Sequence, residues 1–201
     1  TAIILADSMS LHDIVDRQKD MWFVVAQPVG ALVFLIVTLA EVNRAPFDMP
    51  EAEQELTAGY HSEYSGMKFA LFFMAEYQKM IIVSAIFAVF FFGGYLGPGI
   101  DRFPLLGPVY MFLKIVILLF GMIWVRATWP RIRYDRLMSF GWKVLIPLSL
   151  AIVFITATGI LLAEQVDPMF IWIIPVASLL VGLIPVITIY RSIRRLSYGR
   201  A

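Results

Sequence analysis

The chain has no cysteine, which excludes disulfides and thiolate ligation of an iron–sulfur cluster. It has two histidines, His12 and His61, and the topology derived below puts them on opposite sides of a membrane, where they cannot clamp one haem. Charge is also scarce. Acidic and basic residues together make up 15% of the 201 residues, and no basic patch is interleaved with aromatics as a nucleic-acid face requires. Internal repeats and low-complexity tracts are absent. The first twenty residues, opening at Thr1, lack a basic region followed by an apolar core and a small-residue cleavage site. The chain is therefore expected to be the C-terminal part of a longer protein.

What the sequence does have is apolar surface. Hydrophobic residues account for 60% of the chain, and the mean hydropathy of +0.81 lies well outside the balance of a soluble domain. The apolar residues fall into five runs, 21–40, 67–97, 108–125, 144–163 and 170–190. Each is long enough to cross a hydrocarbon layer, which takes roughly 20 residues at 1.5 Å per residue. Pro28, Pro147, Pro175 and Pro185 lie inside these runs and predict kinks. The fold class is all-α, a polytopic transmembrane helical bundle.

Orientation follows from lysines and arginines in the short connections. One side receives Arg44, Lys68, Arg126, Arg131, Arg133, Arg136, Lys143, Arg191, Arg194, Arg195 and Arg200, and the other only Arg17, Lys19 and Arg102. The first side is cytoplasmic, so 41–66, 126–143 and the tail 191–201 face inward and 1–20 lies outside. In that external segment Asp13, Asp16 and Asp20 recur at helical spacing opposite Leu11, Ile14 and Val15. The pattern is that of an amphipathic helix lying on the membrane surface.

The cytoplasmic loop 41–66 is acidic although the rest of its side is basic. Asp48 followed by Glu51, with Pro50 between, reads as a helix N-terminus with a capping box. Glu51, Glu53 and Glu55 then fall in the first two turns, where the helix dipole favours their charge. One reading is that these acids solvate and cap a short surface helix. The other is functional, because charge also enters the membrane. Glu76 lies about 14 Å along its helix from Met67, three residues from Lys79 on the same face. Lys114 sits among Phe112, Leu113, Ile115 and Val116. Ionisable residues inside spans mark ion or substrate pathways, although Lys114 also has the option of snorkelling to an interface.

Two strings carry a resemblance. EVNRAPFDMPEAEQELTAGYHSEYSGMKFALFFMAEY, from Glu41, and LKIVILLFGMIWVRATWPRIRYDRLMSFGWKVLIPL, from Leu113 to Leu148, resemble the signatures of the quinone-site membrane subunit of respiratory complex I, the proton-pumping NADH:quinone oxidoreductase. Members carry several further N-terminal helices, and many end before a segment equivalent to 170–190. The resemblance implies a multi-pass protein of the bacterial inner or mitochondrial inner membrane that forms the membrane end of a quinone chamber. It implies no cofactor bound by this chain and no metal. Quinone is then the substrate, with iron–sulfur clusters and FMN in partner subunits. The implied partners are peripheral-arm subunits, small membrane subunits and antiporter-like subunits, all embedded in or docked on lipid.

By motif, Arg44, Phe47, Asp48 and Arg126 match residues lining the quinone path. Glu51, Glu53 and Glu55 match the acidic loop facing the chamber, and Glu41 and Glu76 match carboxylates of a proton relay, with Lys114 as a buried lysine near them. Reducing a quinone creates negative charge that protons must neutralise, and carboxylates with desolvation-raised pKa values suit such a relay. Two other readings stay open: a homologous subunit of a ferredoxin-dependent or membrane-bound hydrogenase complex, and an ion transporter using Glu76, Lys79 and Lys114. Transporters of that kind show paired repeats with broken helices. The loop orientation is directly testable. A cysteine introduced at Ser62 is expected to react with an impermeant thiol reagent only from the cytoplasmic side, and labelling only from outside would invert the topology.

Overall fold

The computed structural model describes residues 1–43, 46–47, 64–100, 103, 105–130, 132–165, 174–183 and 185. Among them all regular structure is helical. Four short elements open the chain: α1 (Ala2–Ala6), α2 (Leu11–Asp16), α3 (Phe23–Ala26) and α4 (Pro28–Glu41). Then come α5 (Met67–Phe91), α6 (Leu106–Thr128), α7 (Tyr134–Phe140), a π-helical turn (Gly141–Leu145) and α8 (Ile146–Gln165), followed by the apolar helix α9 (Ile174–Leu183).

Among the described residues, three helical stretches are long and apolar enough to cross a membrane: Met67–Phe91, Leu106–Thr128 and Tyr134–Ala163. With 25 and 23 residues, α5 and α6 extend about 37 and 34 Å, more than the roughly 30 Å of hydrocarbon, so both can tilt. Many of their large side chains face outward. Met67 is 81% exposed and Phe112 69%, while the polar Thr38, Ser84, Thr156 and Ser178 are buried. Each buried hydroxyl donates to a carbonyl three or four residues earlier, Ser84 to Met80 at 2.8 Å and Ser178 to Pro175 at 2.9 Å among them. Small residues bring helices close: Gly159 of α8 faces Ile174 of α9, and a Cβ on Gly182 would lie 2.8 Å from Val29 of α4.

The first apolar run departs from a single continuous helix. Proline disfavours helical backbone in the residue before it and has no N–H to donate. Gln27 accordingly takes φ −138° and ψ 69°, α3 ends at Ala26, and Pro28 restarts the chain at the first position of α4. At the other end of the bundle, the helix expected from 144 begins at Tyr134 and runs on through the π turn. Pro147 follows that turn, which is where a missing helical N–H is most easily absorbed. Of the run 170–190, the described part is helical, and the tail 191–201 lies outside the described residues.

Two clusters hold α5 against its neighbours. Near its C-terminus Phe87, Ala88 and Phe91 pack with Phe23, Ala31 and Leu118, and Phe34 meets the rings of Phe87 and Phe91 at 5.8 and 5.6 Å. Nearer its N-terminus Met80 joins Leu39, Val42, Phe47 and Met122. The turn after α5 uses Gly93 at φ 69° and Gly94 at φ 51°, backbone that L side chains rarely adopt. This turn would leave its carbonyls unpaired, and Lys114 of α6 takes three of them. Its Nζ donates to Phe92 O, Gly94 O and Leu96 O at 2.6, 2.9 and 2.6 Å, with the Trp22 ring 4.9 Å away.

Gln18, with no exposed surface, completes the turn. Its Nε2 donates to Val89 O and Ile14 O, and its Oε1 accepts from the N–H groups of Gly93 and Phe23. The segment α2–α3 is thereby fixed to the end of α5. On the exposed side of α2, a hydrogen bond from Lys19 and the nearby charges of Lys19 and His12 hold the Asp16 carboxyl below its ordinary range, against an opposing effect of desolvation. Replacing Gln18 by Leu would strand two buried N–H and two buried C=O groups. Each costs about 1–3 kcal/mol, so Gln18→Leu is expected to destabilise the full-length subunit by at least about 3 kcal/mol. Its thermal melting in detergent should fall clearly, whereas Arg17→Ala, at an exposed neighbour, should leave it nearly unchanged.

Candidate functional site

The candidate site lies at the end of the bundle opposite Lys114. Helix α4 ends at Glu41, and the chain turns through Asn43 at φ 53°, a conformation Asn tolerates better than most residues. It returns at Pro46 and Phe47. Phe47 is buried at 6% exposure with Leu39, Val42, Met80 and Met122, and Val125, Ile132 and Leu137 pack against that cluster. The Ile132 N–H donates to Pro46 O at 3.0 Å. Two strings some eighty residues apart in the chain, RAPFD and WVRATWPRIRY, are therefore joined through backbone and side chains at one place.

Lys79 crosses from α5 to the end of α4. Its Nζ lies 2.8 Å from Glu41 Oε1 and donates to Glu41 O at 2.5 Å. One ammonium thus neutralises the carboxylate and takes a terminal carbonyl of α4, where positive charge favours the helix dipole. The side chains are 41% and 66% exposed, so in water such a pair contributes only about 0–1 kcal/mol. Its interest is chemical. Spacing along α5 associates Lys79 with Glu76, and nothing in the pattern of either helix points to Glu41. Only packing Leu39 and Met80 into one cluster brings the two charges together.

Glu76 is half-buried on α5, one turn before Met80. Arg126 is exposed in the last turn of α6, one turn beyond the buried Met122, so it stands on the same end of the bundle as Phe47 and Glu41. Lys114 does not. It lies twelve positions before Arg126 on α6, about 18 Å along the axis, and its donors reach the far turn at 92–96. The carboxylates with which the resemblance groups it are at the other end. Arg44, Asp48, Glu51, Glu53, Glu55 and His61 lie outside the described residues. Among the described residues there is no group of three or more His, Asp or Glu side chains able to hold a metal ion.

These features define the class: an α-helical membrane bundle in which two motif-bearing loops and an interhelical Glu–Lys pair converge on one end. A family model described as NADH dehydrogenase matches residues 1–157, and the chain belongs to that family. Its curated relatives carry the name of the H subunit of NADH-quinone oxidoreductase. The one from Protochlamydia amoebophila is 52% identical over 157 residues, covering 78% of this chain and 47% of that protein. The one from Anoxybacillus flavithermus is 51% identical over 156 residues, 77% of this chain and 46% of the relative. That of Dehalococcoides mccartyi is 49% identical over 166 residues, 82% of this chain and 45% of the relative. The chain spans about half the length of the curated relatives it matches. The family match ends at 157, so α9 lies beyond it.

Proposed function

We propose that this chain is the C-terminal part of the membrane subunit of a proton-translocating NADH:quinone oxidoreductase. It forms the membrane end of the quinone chamber and couples quinone reduction to proton translocation. The observation that carries the reading is the junction of Pro46 and Phe47 with Ile132, beside the Glu41–Lys79 pair. The two family signatures meet where an ionisable group enters an apolar bundle. Phe47 gives the loop a buried anchor, and by motif Arg44 and Asp48, close to it in sequence, line the quinone path with Arg126. Glu51, Glu53 and Glu55 supply the acidic wall.

The chemistry is an electrostatic one. Iron–sulfur clusters and FMN held by peripheral-arm partners would supply the electrons from NADH. Two electrons added to a quinone require two protons to give the quinol. Glu41 and Glu76 carry the accompanying protonation change into the membrane toward the antiporter-like subunits. Lys79 is the counter-charge of Glu41, and negative charge arriving at the quinone competes for it, so the pair responds to the redox state of the chamber. Lys114, whose donors serve three carbonyls, acts as an anchor of the bundle and not as a relay member. The protein works in the inner membrane of the cell.

An amide keeps the size and hydrogen bonding of a carboxyl but cannot titrate. In the assembled complex, Glu76→Gln is therefore expected to lower NADH-driven quinone reduction and the proton gradient together by about tenfold or more, which is about 1.4 kcal/mol in barrier. NADH oxidation by a hydrophilic artificial acceptor should persist, since electron input lies in other subunits. Arg126→Lys keeps the charge but loses the planar fork of donors, and should raise the quinone KM with the same acceptor activity intact. A Glu76→Gln complex that reduces quinone and pumps like its parent would remove Glu76 from the relay.

A further inference from the structure

The break between α3 and α4 holds a polar group that the fold leaves without a partner. Gln27 has no exposed surface, and its Oε1 is the one buried side-chain N or O atom among the described residues with no hydrogen-bond partner. The carboxamide is oriented by its neighbour. Thr156 Oγ1 lies 2.6 Å from Ile152 O, and with its hydroxyl hydrogen on that carbonyl its oxygen accepts from Gln27. The Gln27 Nε2 donates to Thr156 Oγ1, and Oε1 must point away from α8.

It points at the first turn of α4. A Cβ built on Gly30 would lie 3.3 Å from Gln27 Oε1 and 3.6 Å from Thr1 Oγ1, so both oxygens front the face that glycine leaves bare. That turn has donors to offer. Pro28 has no N–H, and the first intrahelical bond is that of Ala31 to Gln27 O at 3.0 Å, which leaves the N–H groups of Val29 and Gly30 without an intrahelical acceptor. Gln27 occupies the N-cap position yet makes no side-chain cap bond. An orphan acceptor therefore stands beside orphan donors around a buried glycine, at a distance that does not close directly.

We propose that the α3–α4 break is an internal water site. One water donates to Gln27 Oε1, accepts from the first-turn N–H groups of α4, and has the Thr1 hydroxyl as a further partner. A buried water is held by two to four such polar groups, and the site supplies that number. The water would act as the N-cap of α4. A helix interrupted inside an apolar run could then keep all its backbone groups paired, and the joint between α3 and α4 would turn on a solvent-bridged contact instead of a rigid side-chain one.

The test is a density map of the intact complex at a resolution that shows ordered water, for the parent and for three variants. In the parent, a discrete peak is expected about 2.8 Å from Gln27 Oε1. Gln27→Met has nearly the same length and only a weakly accepting sulfur in place of the amide oxygen, and should lose the peak. Gly30→Ala, which pushes a methyl to within 3.3 Å of Oε1, should displace or expel it with α4 still in place. Thr156→Val, which removes the acceptor that orients the amide, should blur or move the peak. A parent map in which Oε1 is bonded to a protein donor, or in which no peak lies within hydrogen-bond distance of it, overturns the proposal. So does a peak that persists unchanged in Gln27→Met. If Gln27→Met does not assemble, the parent and Gly30→Ala maps decide the matter.

Discussion

Lys114 reaches out of an apolar helix to three carbonyls that the end of α5 leaves unpaired, and the arrangement of the bundle depends on that need. A helix end in or beside hydrocarbon has no water to satisfy it, so each free N–H or C=O must be met from within the chain. The Gly93–Gly94 turn is tight enough to bring three carbonyls around one ammonium, and Gln18 takes the N–H and C=O that remain nearby. Together these fix α5, α6 and the α2–α3 segment to one another at a single point. From there α5 runs back, and about 18 Å along it its register is fixed against α4 and α6. Met80 meets Leu39 and Met122, and Lys79, one residue earlier, falls beside Glu41.

The apolar runs were legible because burial in lipid imposes composition on whole segments, and the helices Met67–Phe91 and Leu106–Thr128 fall within or around the expected ranges. The break at Gln27 was half-legible. Pro28 announced a disturbance, but that the chain would stop at Ala26, restart at Pro28 and pair the buried Gln27 amide with Thr156 of α8 is not written in the apolar pattern. The early start of the last long helix at Tyr134 was hidden, since Arg133, Asp135 and Arg136 look like loop residues, and the helix from Tyr134 persists because the π turn carries it into α8. Lys114 was visible as an anomaly, and its role was not. Its partners are main-chain carbonyls of a turn, which no side-chain pattern reveals. The Glu41–Lys79 contact is of the same kind: each residue stood out alone, and the pairing belongs to the packing of three helices.

The candidate site inherits its geometry from this frame. Phe47 and Ile132 bind the two signature strings together at the end of the bundle that carries the basic loops, and the family match over residues 1–157 contains both strings. Charge gathers at that end. Arginines flank the strings in sequence, a Glu–Lys pair closes the gap between α4 and α5, and Glu76 stands one turn before Met80 on α5. Under the proposed function, charge created at the quinone is answered by protonation of these carboxyls.

Membership in an assembly that moves electrons from NADH to quinone is tested most directly by purifying the complex in mild detergent through a tag on the full-length subunit. FMN and iron–sulfur signals are expected to co-purify with it, and the preparation, returned to vesicles, to couple NADH oxidation to quinone reduction with a proton gradient. A preparation that carries a hydrogen- or ferredoxin-linked activity and no NADH-driven quinone reduction would contradict it.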